Sequence, residues 1–165
     1  MSVLSILRWP DACLSQVCEP VAQASDVADL VEDLFETMYD APGRGIAAPQ
    51  VGVMKRVFVM DAGWKTGDRT PRVCINPVIE SASETKVPSS EGCLSFPGIT
   101  VAPQRHERIV LQYTDLDGVR QSAELDGFEA ICAQHELDHL DGLMHFDRLD
   151  PDARAAHLKE YEALP

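Results

Sequence analysis

No run of the chain approaches the roughly 18 consecutive apolar residues that a membrane-spanning helix needs. The opening residues, Met1 to Leu7, lack a basic segment followed by a long apolar one, so no export signal is legible and a cytoplasmic location is expected. Internal repeats, low-complexity tracts and an obvious linker are also missing, which leaves residues 1–165 as one expected domain. Positive charge is scarce: 14 Lys and Arg stand against 27 Asp and Glu, a net charge of −13. A phosphate backbone or an anionic membrane would be repelled over most of such a surface, so neither direct nucleic-acid binding nor membrane binding is expected. Cysteine is present without pattern. Cys13, Cys18, Cys74, Cys93 and Cys132 are odd in number and irregularly spaced, as buried apolar thiols in a reducing compartment would be. Cys93 is the exception argued below.

What is present is an ordinary globular composition, 45% apolar and 25% charged over 165 residues, enough to bury a core. From Asp26 to Tyr39, apolar residues at Val27, Leu30, Val31, Leu34, Phe35 and Met38 follow helical spacing, with Ser25 or Asp26 as N-cap and Asp40-Ala41-Pro42-Gly43 as the stop. The segments 56–60, 73–77, 109–114 and 121–125 read as strands bounded by turns. A second helix is expected from Phe128 through His139, and a third from Asp150-Pro151 to the end. Helix, strands, then helix again suggest α+β rather than a doubly wound parallel sheet.

The strongest local signal is His135-Glu136-Leu137-Asp138-His139. On a helix, positions i and i+4 share a face, so both imidazoles can hold one divalent ion while Glu136 reaches a water on it. Phe128, Ile131, Cys132 and Leu143 place the histidines on or beside an apolar stripe, where a solvated helix face is the poorer explanation. A catalytic ion usually takes three protein ligands. Candidates for the third are His145, at metzincin spacing through Gly142; Glu160 or Glu162 in the tail; and Cys93. The metzincin pattern also needs a later Met-turn, and the 20 residues after His145 contain no methionine. The glutamates lie in a charged segment better read as solvated. Cys93, in the irregular loop Ser89-Ser90-Glu91-Gly92-Cys93-Leu94-Ser95-Phe96-Pro97-Gly98, offers a thiolate and is the preferred third ligand. A third segment, Gly43-Arg44-Gly45-Ile46-Ala47-Ala48-Pro49-Gln50, keeps bulk away and leaves backbone groups free; taken alone, it reads as a tight loop.

Together these three segments resemble the signatures of the peptide deformylase family: the glycine-alanine-glutamine loop ending at Gln50, Glu91-Gly92-Cys93-Leu94-Ser95, and Gln134-His135-Glu136-Leu137-Asp138-His139. The resemblance implies antiparallel sheets wrapped around a central helix that carries the two histidines, with an N-terminal helix and a short C-terminal one. It implies removal of the N-formyl group from formyl-methionine at the start of new chains, with formyl-methionyl nascent peptides as partners. Cys93, His135 and His139 would hold one ion, Fe(II) in the cell, with Zn(II) or another divalent ion also able to occupy the purified protein. Glu136 would take a proton from water and pass it to the leaving amine, and Gln50 with the Leu94 backbone N–H would face the oxyanion. Gly45 would offer backbone hydrogen bonds to substrate. Phe128, Ile131 and Cys132 are equally readable as methionine pocket or as plain core. Glu91 and Arg105 match positions of a buried supporting pair in the family, although a surface pair is the cheaper reading of two charges.

Two departures from the family pattern stand out. Arg44 occupies a position where many members carry an aliphatic residue; pointing inward it would favour acidic substrate residues or narrow access, and pointing outward it is a solvated charge. The tail from Asp147 lacks the basic character by which some members dock on the ribosome, so ribosome association through it is not expected. A metallopeptidase and an inactive binding relative are the competing classes. The second is disfavoured because Glu136 and all three candidate ligands are retained.

Overall fold

The computed structural model describes residues 1–165. Its first helix, α1, spans Ala28–Asp40, starting two residues after the expected Asp26. The Asp26 carboxylate accepts from the Gln23 backbone N–H at 3.2 Å and holds Ala24–Val27 in a tighter 3-10 turn. Helix α1 buries Val31, Leu34, Thr37 and Met38.

Nine strands follow, all paired antiparallel. They are β1 (Gly45–Ala47), β2 (Val57–Asp61), β3 (Pro71–Ala82), β4 (Lys86–Pro88), β5 (Glu91–Cys93), β6 (Phe96–Val101), β7 (Gln104–His106), β8 (Arg108–Thr114) and β9 (Arg120–Asp126). Strands β1-β2-β3-β8-β9 make one sheet in that order, and β4-β7 and β5-β6 make two ribbons. Strand β3 is more than twice the expected length and bends twice, at register shifts between Ile75 and Val78 and between Ile79 and Ser81. The four expected strands are present; the five others were not legible.

Helix α2 spans Gly127–Leu140 between the large sheet and the ribbons. A single apolar stripe was expected, but the structure differs: Ala130 and every residue from Cys132 to Leu140 are buried. Ala130, Ala133, Leu137 and Leu140 join Phe58, Met60, Cys74 and Leu111 of the sheet in one apolar cluster. The polar residues Gln134, His135, Glu136, Asp138 and His139 are just as inaccessible. Buried polar groups need partners, and here the ribbons supply many of them.

Helix α3 (Pro151–Glu162) is capped by the Asp150 carboxylate, which accepts from the Ala153 N–H at 2.9 Å, and Pro151 fits its first turn. It packs on a separate cluster around Phe96 and Phe146: the Tyr161 ring stacks on Phe96 at 4.2 Å and its hydroxyl donates to the Trp9 carbonyl. No helix is long and apolar enough to cross a membrane.

Candidate active site and metal centre

The two ribbons and α2 bring together residues far apart in sequence. Cys93 ends β5, and His135 and His139 lie one turn apart on α2. The Cys93 Sγ and one nitrogen of each imidazole all fall within 4.8 Å of one another. The His139 Nε2 is 3.4 Å from the thiol sulfur. The His135 Nδ1–H donates to Glu91 Oε1 at 2.7 Å, which fixes its tautomer and leaves the other nitrogen free to bind. One sulfur and two imidazole nitrogens at this spacing suit a three-ligand Zn(II) or Fe(II) site.

Electrostatics agree with that fit. Burial, together with neighbouring His135, holds His139 well below the usual histidine range, so it is neutral and ready to ligate. Burial also opposes charge on His135, yet its bonds to Cys93 and Glu91 outweigh this and raise its pKa above the usual histidine range, favouring a proton where the ion would sit. A cation bound beside Cys93 would replace that proton. Burial pushes the Glu136 carboxyl up to about 7, and its Oε1 has no hydrogen-bond partner in the chain.

Support comes from a buried ion network. Arg105 donates to both Glu91 oxygens, at 2.8 and 2.9 Å, and to Asp138 Oδ2 at 2.6 Å. Arg148 closes the other side of Asp138 with bonds of 2.7 and 3.0 Å. Glu91 and Arg105 are 5% and 3% exposed, so the surface-pair reading is wrong. The ribbons cover the pair, which pairwise sequence reasoning does not anticipate. Asp138 and Arg148 were missed as functional supports; an acidic residue inside a buried helix is the signal that points to the first, and nothing local points to the second.

Gln50 sits in a 3-10 turn after β1. Its Oε1 accepts from the Ala47 N–H at 2.9 Å, which orients its Nε2 toward Ser95 Oγ at 3.0 Å and Cys93 Sγ at 3.8 Å. Gly45 has a steric reason to lack a side chain: a Cβ there would lie 2.8 Å from Cys132 Sγ and 2.9 Å from Glu136 Oε2. Leu94 packs its side chain on Gly43. Arg44, Gly45, Gln50, Cys93, Leu94, Phe128, Ile131, Cys132, His135 and Glu136 all line one cleft of about 910 Å³. Of the pocket-or-core trio, Cys132 also belongs to the core cluster, while Phe128 is 40% exposed. The N-terminal residues Val3, Leu4 and Ile6 form another part of the wall, and no motif marked them.

The rejected third ligands do not join the donor group of Cys93, His135 and His139. His145 stands beside His135 with ring centroids 5.4 Å apart, but its Nδ1 accepts from the Phe146 N–H. Gly142, which completes the metzincin spacing, takes a φ of +77° where a Cβ would come within 2.9 Å of the Ser15 backbone, so packing explains it. Glu160 and Glu162 are exposed on α3.

Fold and donor set together define a metal-dependent hydrolase. The family profile described as Polypeptide deformylase matches residues 3–155. A peptide deformylase-like protein of Brucella melitensis is 42% identical over 165 residues, 99% of each chain. A peptide deformylase of Maricaulis maris is 43% identical over 150 residues, 90% of this chain and 86% of the other. The solved peptide deformylase of Ehrlichia chaffeensis in complex with actinonin superposes with a TM-score of 0.91 at 39% identity, over 98% of this chain and 97% of that one. The chain belongs to the polypeptide deformylase family.

Proposed function

We propose that residues 1–165 form one catalytic domain that hydrolyses the formyl group from N-terminal formyl-methionine of newly made chains and releases formate. The observation that carries this reading is the convergence of Cys93, His135 and His139 on one point beside Glu136, in a cleft bordered by β1. The three residues would hold one divalent ion, with Fe(II) as the cellular metal. When bound, such an ion supplies Lewis acidity that polarises a carbonyl and acidifies water.

The protein's own groups do the rest. Strand β1 pairs only with β2, so its other edge is open to an extended substrate, with the backbone of Gly45 as the natural hydrogen-bonding partner. The methionine side chain enters the space between Phe128, Ile131 and Cys132. Glu136, with its carboxyl raised to about 7, exchanges a proton readily near neutral pH; it accepts one from the attacking water and delivers it to the leaving amine. The oriented Gln50 Nε2–H and the Leu94 backbone N–H face the oxygen that gains charge as water adds to the formyl carbon. A cytoplasmic setting, where formyl-methionyl chains emerge, goes with this reading. Docking on the ribosome through α3 is not part of it, because the tail from Asp147 carries more acidic than basic residues and would be repelled by RNA phosphate.

Mass spectrometry of formyl-Met-Ala-Ser after incubation with anaerobically purified protein tests the assignment. Loss of the formyl group with Met-Ala-Ser left intact supports deformylation. Internal cleavage of the peptide would instead mean a metallopeptidase.

A further inference from the structure

The rim of the cleft carries the opposite charge to the rest of the protein. Arg8, Arg44 and Lys65 all line it, against one exposed carboxylate, Asp40. The other two acidic lining residues, Glu91 and Glu136, are buried, and Glu91 is already paired with Arg105. Three cations to one exposed anion reverses the chain-wide ratio of 14 to 27. Ion pairs within the chain occupy Lys55, Arg56, Arg72, Arg105, Arg108, Arg148 and Arg154, and none of the three rim cations.

Arg44 is the best placed of the three. Its backbone is pinned on β2, where the Asp61 N–H donates to the Arg44 carbonyl at 2.8 Å. Its guanidinium lies 4.7 Å from the centre of the Phe128 ring, a stacking that leaves the N–H edges open to a ligand. Phe128 precedes Glu136 by eight residues of α2, about 12 Å along the helix at 1.5 Å per residue. An extended peptide advances about 3.3 Å per residue, so that span is between three and four backbone steps from a formyl group at Glu136, and the added reach of an acidic side chain brings a carboxylate on the second or third residue to Arg44.

We propose that Arg44, braced on Phe128 and assisted by Arg8 and Lys65, selects substrates that carry a carboxylate at the second or third residue after the formyl group. This rests on the deformylase reading for the substrate's orientation. The carboxylate can belong to an Asp or Glu side chain or to the C-terminus of a short peptide, and the chemistry of recognition is the same. Arg44 is a specificity-determining residue here and takes no part in bond breaking.

The test uses the metal-loaded protein and C-terminally amidated formyl peptides: Met-Ala-Ser, Met-Glu-Ser, Met-Ala-Glu and Met-Lys-Ser, with free-acid Met-Ala-Ser as the second carboxylate source. A half-exposed charge pair predicts that an acidic residue improves kcat/KM about threefold to fivefold over alanine, mainly through KM. The lysine peptide should fall below alanine, and high salt should flatten the series. Arg44→Gln should bring the glutamate-to-lysine ratio close to one, whereas Lys86→Gln, outside the cleft, should leave that ratio unchanged. A gain confined to the free-acid peptide assigns the carboxylate to short-peptide termini and upholds the rim. Equal kcat/KM for the glutamate, lysine and free-acid peptides in the wild type overturns it.

Calorimetric binding of the unformylated Met-Glu-Ser and Met-Lys-Ser amides reads the same selectivity without turnover. Selective binding with no formate from any peptide upholds the rim and refutes the deformylase reading. Unselective binding, with free-acid Met-Ala-Ser held no tighter than its amide, refutes the rim whatever the activity.

Discussion

Glu91→Gln changes one atom in the most densely bonded part of the site. Both oxygens of Glu91 are committed: Arg105 Nε and Nη2 reach one each, and the His135 Nδ1–H shares Oε1 at 2.7 Å. Glutamine keeps a single acceptor and turns an N–H toward either Arg105 or His135, so a donor meets a donor in a region 3–5% exposed. Removing one partner of a buried ion pair costs about 3–5 kcal/mol, and Asp138 still holds Arg105, so about 3 kcal/mol is expected at pH 7. Loss of the carboxylate behind His135 should also weaken metal affinity about 10-fold to 100-fold.

The pH dependence has a definite sign. Burial works against the charge, but the bonds from Arg105 and His135 hold the Glu91 carboxyl well below the usual range. Its contribution is therefore present above the unfolded value, about 4.3, and is lost as pH falls from there. Urea unfolding of metal-free wild type and variant, with a chelator competition for metal, measures both effects. Equal unfolding midpoints at pH 7 together with equal metal affinity would refute the reasoning.

Cys93→Ala should lose the ion while the fold persists, checked by metal analysis and circular dichroism; full retention would return His145 to consideration. Glu136→Gln should keep the ion and lose about 10²–10⁴-fold in kcat for formate release. In metal-free protein the same variant has a second signature. A carboxyl raised from 4.5 to about 7 makes the wild type lose stability as pH rises across that interval, and the variant escapes the loss, so it should gain about 3 kcal/mol relative to wild type between pH 5 and 8 in urea unfolding. Gly45→Ala should force Cys132 or Glu136 aside, lowering stability by about 1–3 kcal/mol and kcat by about 10² in thermal and steady-state assays.

Features that repeat within a few residues were legible beforehand. The i, i+4 histidines, the apolar spacing of α1, the Asp150-Pro151 start of α3 and the apolar or alternating runs of β2, β8 and β9 are local signals, and their placement agrees with expectation to within a few residues. Strand β3 runs longer, and the six-residue β6 was missed. Strands β1, β4, β5 and β7 are three residues each, too short for any alternation to register. The missed strands include those that carry Gly45, Glu91, Cys93 and Arg105, so the site's walls were knowable only as motifs. The joining of Glu91 to Arg105, of Arg105 to Asp138, and of Asp138 to Arg148 is tertiary: the partners lie 10 to 33 residues apart. The Arg44 side chain was ambiguous for the same reason, since its partner Phe128 belongs to a different element.

The most direct test is formate release from formyl-Met-Ala-Ser, measured with metal content on the same anaerobic preparation. The account predicts one equivalent of divalent ion, formate production that stops with a chelator, and recovery on adding Fe(II). One equivalent of metal with no formate would contradict it.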